Sequence, residues 1–109
     1  MAHSFLLIQD QNIVIYEFKV KENNTQKFID SWKAMTNLFK LHEGSLGSRL
    51  HKQKELHYIA YAQWPSKEIF DNYGEKLPEN VSEIKKNMKN SCEVIKALHH
   101  LEVVEDLLS

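Results

Sequence analysis

Cysteine is nearly missing from this sequence. Cys92 is its only thiol, so no internal disulfide can form, and that usage suits a reducing compartment such as the cytoplasm. Net charge is nearly missing too. Fourteen basic residues face fifteen acidic ones, a formal −1, which gives no electrostatic reason to expect nucleic acid or an anionic membrane as a partner. Long apolar runs are absent: Phe5-Leu6-Leu7-Ile8 falls short of the roughly 7–15 residues of a signal-peptide core, and no stretch reads as a transmembrane segment. With three glycines and two prolines there is no linker, repeat, low-complexity tract or glycine-rich phosphate loop. A G-x-S-x-G nucleophile elbow is also lacking. Arginine occurs once, at Arg49, in a chain otherwise dependent on lysine.

What remains is an ordinary globular composition, 42% hydrophobic and 27% charged, over 109 residues. That length makes one domain, residues 1–109, with an N-terminal arm over 1–12 and a core over 13–104. "IVIYEFKV" (13–20) alternates as a strand, with Val14, Tyr16, Phe18 and Val20 on one face and Ile13, Ile15, Glu17 and Lys19 on the other. A helix follows from Thr25. Its apolar stripe is Phe28, Trp32, Met35 and Phe39, and Gly44 stands where it should stop.

"GSLGSRLH" (44–51) and "LHYIAYAQW" (56–64) read as a hairpin around the polar "KQKE". Leu46, Ser48 and Leu50 face one way; Gly47, Arg49 and His51 face the other. Pro65-Ser66 opens a short helix carrying Ile69, Phe70 and Tyr73. After Gly74 and Pro78, a longer helix takes Val81, Ile84, Met88, Ile95 and Leu98 on one side, with Cys92 beside them and a weak point at Asn90-Ser91. The last strand is expected through Val103 and Val104.

The order β-α-β-β-α(α)-β predicts an α+β, ferredoxin-like split βαβ fold, a four-stranded antiparallel sheet with helices on one face. The uncovered face should be polar. Strand three is apolar on both faces, so a second copy of the chain is expected to cover the sheet, giving a homodimer.

Six histidines make a metal site worth testing against the sequence. No H-x-H, H-E-x-x-H or C-x-x-C spacing exists, and His51 with His57 at the hairpin turn lacks a third ligand. No metal is therefore expected. His99 and His100, adjacent on a strand, would point to opposite faces. Cys92, with no neighbouring histidine or basic pair and beside an apolar helical stripe, reads as a structural thiol, and "KKNMK" (85–89) as the solvated side of a helix.

The set with chemical promise is aromatic and cationic. Gly47, Arg49 and His51 share a face that Tyr16, His57, Tyr61 and Trp64 could join from neighbouring strands, although a one-residue slip in register would reverse any of these assignments. Aromatic walls, one permanent cation and histidines suit a planar, acidic, aromatic ligand. The plainer alternative makes Trp64 and Tyr61 core or interface aromatics and Arg49 a salt-bridge partner. The residues alone leave both open.

"YEFKVKENNTQKFIDSW", "HEGSLGSRLHK" and "YIAYAQWPSKEIFDNY" occur in the order and spacing of a known family. In this ordered set the chain resembles the antibiotic biosynthesis monooxygenase (ABM) domain, well over residues 13–75 and poorly over 76–100. The resemblance implies a dimeric α/β barrel. It also implies oxygenation of a small electron-rich aromatic or quinol with O₂, without flavin, haem, metal or other cofactor. On that resemblance Trp64 walls the pocket and Arg49 stabilises the substrate anion. Gly47 leaves room beside Arg49, Tyr16 and Tyr61 contact the ligand, and His51 or His57 takes its proton. The family's haem-degrading branch is a poor match, because Tyr16 stands at its strand-one asparagine and "GEKLPENVSEIKKNM" contains no histidine. A different class of function on the same scaffold is a non-catalytic, dimeric ligand-binding or stress-response module.

Overall fold

The computed structural model describes residues 11–74 and 77–108; the N-terminal arm up to residue 10, including Phe5-Leu6-Leu7-Ile8, lies outside the described residues. Strand β1 (Asn12–Val20) holds the central position its two apolar faces require. It pairs antiparallel with β3 (His57–Trp64) on one side and β4 (Cys92–Glu102) on the other. Strand β2 (Gly47–Lys54) adds to β3, so the sheet runs β2-β3-β1-β4, all antiparallel. Helix α1 (Thr25–His42), the short α2 (Lys67–Asp71) and α3 (Val81–Ser91) complete the expected ferredoxin-like α+β arrangement. Among the described residues, no helix is long and apolar enough to cross a membrane.

The helices pack on the face carrying Phe18, Tyr58, Ala60 and Trp64. Phe28 of α1 is fully buried there, its ring 4.9 Å from that of Phe18 and 5.4 Å from that of Tyr58. Local signals end the elements where the sequence places them. Gly44 takes φ +79° just past α1, and the Ser45 N–H folds back onto the Phe39 carbonyl at 3.2 Å. Ser66 caps α2 by accepting the Ile69 N–H at 3.2 Å.

The hairpin turns at Glu55-Leu56, slightly later than "KQKE" suggests, because Lys54 still pairs with His57. Leu56 holds φ +64°, a conformation costing an L-residue about 1–2 kcal/mol. Its side chain packs against the Phe18–Phe28–Tyr58 cluster, and its carbonyl accepts the Val20 N–H at 2.8 Å. Both contacts offset the strain.

Strand β4 begins at Cys92, so the expectation of a helix through Ile95 and Leu98 and a strand centred on Val103-Val104 is corrected. Register shifts against Ile15/Tyr16 and Lys19/Val20 insert extra residues at Leu98 and Glu93. Those bulges break the two-residue alternation that would have marked the strand and leave a three-residue spacing resembling a helix.

Phe28→Ala should cost about 3–5 kcal/mol, because both the buried area and the ring contacts are lost. Urea denaturation followed by circular dichroism measures it, and a loss below about 1 kcal/mol would show that α1 is held elsewhere.

Candidate active site

Beyond the Phe28 cluster the two layers do not close. A cavity of about 200 Å³ opens between α1, α3 and the sheet. Sequence explains the gap: Ser48 and Ala62 pair across β2 and β3, and these short side chains floor the space beneath Trp32, Met35 and Phe39 of α1. Tyr16 and Phe18 bound it on β1, Met88 and Lys85 on α3. One end is sealed by a cluster of tilted and edge-on aromatics. Trp64, only 3% exposed, lies 5.8 Å from Phe39, 5.5 Å from Phe70 and 5.7 Å from Tyr73, ring centre to ring centre.

Polar groups in this shell are few. The Ser45 hydroxyl is committed to backbone, accepting the Gly47 N–H at 3.0 Å and lying 3.5 Å from the Gln63 carbonyl. Burial, with a smaller contribution from Tyr73, pushes the Tyr16 phenol up to about 12 from the ordinary 10.0, so it remains a hydrogen-bond donor at neutral pH. Among the described lining residues Lys85 is the one charged group, and none is a carboxylate or histidine.

The residues singled out from sequence divide between the two faces of the sheet. Tyr16 pairs with Ala60, and Trp64 follows Ala60 and Ala62 by alternation, so both face the helices and line the cavity. Arg49 and His51 pair with Tyr61 and Ile59, and His57 pairs with Lys19, which puts these on the open face, whereas Gly47, at φ +113°, has Lys40 of α1 where a Cβ would point, 3.8 Å away. The expected single cluster is thus corrected to two groups. The reason is parity: Tyr61 and Trp64 are three residues apart in one strand and must point oppositely. Arg49 is exposed and has no ion pair among the described residues. His51 Nδ1 lies 3.2 Å from the Ile59 carbonyl, and His57 Nδ1 lies 3.2 Å from that of Glu55. No three metal-ligating side chains converge among the described residues.

Sequence reasoning assigned Trp32, Met35 and Phe39 to a core stripe and Lys85 to solvent. The signal that could have revealed a cavity was the pair of small residues, Ser48 and Ala62, opposite that stripe. Cys92 is buried beside Ser91, and burial pushes its thiol up more than the Ser91 hydrogen bond and Lys21 pull it down, as an inert structural thiol requires. His99 and His100 do face opposite ways: His99 pairs with Ile15, while His100 pairs with Val14 and packs 5.6 Å from the Phe70 ring.

Two outcomes follow from this geometry. Ala62→Leu should fill the floor at a stability cost of about 1–3 kcal/mol, and should abolish quenching of tryptophan fluorescence by small aromatics; unchanged quenching would put their binding elsewhere. For Tyr16, the phenol is protonated in both folded and unfolded chains below pH 10. Between pH 10 and about 12 the unfolded chain ionises first, so stability falls as pH rises. Denaturation midpoints across that window should decline less steeply in Tyr16→Phe, and equal slopes would refute the burial argument.

Comparison with known proteins bears on what such a cavity belongs to. Residues 12–76 match the family described as antibiotic biosynthesis monooxygenase. Among solved structures, SnoaB, a cofactor-independent oxygenase from Streptomyces nogalater, superposes with a TM-score of 0.73 at 13% identity, over 92% of this chain and 99% of its own. A protein from Caulobacter crescentus CB15 superposes with a TM-score of 0.69 at 21% identity, covering 96% of this chain and 100% of that one. Rv0793 from Mycobacterium tuberculosis gives 0.70 at 10% identity, over 91% of this chain and 100% of its own. None of the curated proteins matches the sequence significantly. At these identities the superpositions show the fold. The sequence match covers more than half of the chain, and the protein belongs to the antibiotic biosynthesis monooxygenase family.

Proposed function

We propose that the chain is a cofactor-independent monooxygenase that oxidises a small electron-rich aromatic or quinol with O₂ inside the cavity under α1. The observation that carries this reading is the cavity's aromatic, largely apolar wall beside Trp64 in a chain of this family. A ring the size of a naphthohydroquinone lies on the Ser48-Ala62 floor beneath Trp32 and Met35, with Trp64 closing one end. The Tyr16 hydroxyl donates a hydrogen bond to a ring oxygen. With no histidine or carboxylate among the described lining residues, the substrate supplies its own acidity. Its anion, held away from water, passes electrons to O₂. The stoichiometry closes on the substrate alone: a ring C–H becomes C–OH, the hydroquinone becomes the quinone, and the second oxygen atom leaves as water.

In the same reading Arg49, His51, His57 and Tyr61 serve the open face rather than catalysis. Its centre is apolar, built from Ile15, Ile59 and Tyr61, which favours a second copy packed sheet to sheet. Light scattering on the eluted protein should give twice the chain mass, and Tyr61→Asp should shift it toward the monomer. A stable wild-type monomer at micromolar concentration would remove the dimer from the proposal.

An oxygen electrode tests the activity. Uptake with naphthohydroquinone should exceed the spontaneous rate without added flavin or metal, and Trp64→Phe should lower kcat by about tenfold or more, a loss of roughly 1.4 kcal/mol in barrier stabilisation. Saturable binding across a quinol panel with no oxygen uptake would instead identify a ligand-binding module.

A further inference from the structure

Charge is distributed unevenly around the cavity. Its walls are apolar or neutral apart from Lys85, and the cavity continues into a more open hollow that shares Met35, Tyr73, Lys85, Met88 and Ile95 with it. That hollow adds Lys86 and Lys89, again with no carboxylate among the described lining residues. Lys85 therefore stands at the junction of the two spaces. Lys89 lies one helical turn further along α3, near it on the helix surface. In a chain of net charge −1, three lysines around one opening form a local positive field that the overall composition hides. No ion pair or hydrogen bond engages the Lys85 ammonium among the described residues, so its three donors are available to a ligand.

Resting on the cavity assignment above, we propose that the ligand is an aromatic anion, a ring bearing a carboxylate or ionised hydroxyl, and that Lys85 holds that group at the cavity mouth. The ring enters the Trp64 end, where burial favours an uncharged surface. The acidic substituent stays at the Lys85 end, where it keeps part of its hydration and gains a cation. This orientation needs no arginine, and it assigns to α3 the anchoring role that sequence suggested for Arg49. Lys86 and Lys89 contribute long-range attraction that salt screens, with a Debye length of about 8 Å at physiological ionic strength.

Trp32 and Trp64 are the only tryptophans in the chain, and both line the cavity, so intrinsic fluorescence reports its occupancy directly. The redox-inert pair 2-naphthoate and 2-naphthalenemethanol differs in charge and little in shape. The full chain should bind naphthoate about three- to fivefold more tightly than the alcohol, the upper part of the range expected for an exposed ion pair. Lys85→Met should remove that preference while leaving affinity for the alcohol unchanged, Lys85→Arg should restore it, and Lys86→Met should alter it less than twofold. Thermal melts confirm that each variant is folded. Equal wild-type affinities, absent naphthoate binding, a preference surviving Lys85→Met, or an equal loss in Lys86→Met would each overturn the assignment. The two readings fail separately. Absent oxygen uptake with the charge preference intact would sink the monooxygenase alone, whereas oxygen uptake with equal affinities for naphthoate and the alcohol would sink the anion anchor alone.

Discussion

The contact on which the rest depends is the insertion of Phe28 between Phe18 and Tyr58. It fixes α1 to the two central strands at one end. From that anchored end the helix runs above strand positions occupied by Ser48 and Ala62, which are too short to reach it. A helix pinned along its full length would have closed the gap, and one pinned nowhere would have collapsed into it. One dense end and one undersized floor together leave a cavity between the layers. Its far end is stiffened by the Phe39–Trp64–Phe70–Tyr73 rings.

An enclosure of this kind changes the strength of the few polar groups inside it. Tyr16 is the clearest case: loss of solvent disfavours its anion, so the hydroxyl is kept as a donor in surroundings with few competing acceptors. Lys85 sits at the opposite limit. It is exposed enough to remain hydrated, yet it faces a space whose other described walls carry no charge. A neutral donor inside and a cation at the entrance form a gradient of polarity along the cavity, and a ligand of mixed character would align with it.

Much of the architecture was legible in the sequence because its patterns are short and strict. The alternation of β1, the Phe28-Trp32-Met35-Phe39 stripe, the Gly44 stop and the Ser66 cap each rest on one local rule, and each appears in the structure. Strand β4 was not legible. Its bulges at Glu93 and Leu98 erase the period on which strand recognition relies, and Ile95 and Leu98 then imitate a helix. The candidate site failed in a different way. Trp64 and Tyr16 were grouped with Arg49 and Tyr61 across a sheet that separates them. Parity along "YAQW" already forbade that grouping. Lys85 was hidden because a helix flank rich in lysine looks the same whether it borders solvent or the mouth of a cavity.

The alternation of β3 has a consequence for how such a protein can change over generations. Tyr58, Ala60, Ala62 and Trp64 belong to the enclosed side, while Ile59, Tyr61 and Gln63 belong to the other. Two surfaces are thus encoded in interleaved letters of a single eight-residue word. Substitutions at even positions can reshape what the cavity accepts without altering the outer face, and substitutions at odd positions can do the reverse. Insertion of one residue would exchange the two sets at once, so the strand tolerates spelling changes at either set of letters but not a change in its length.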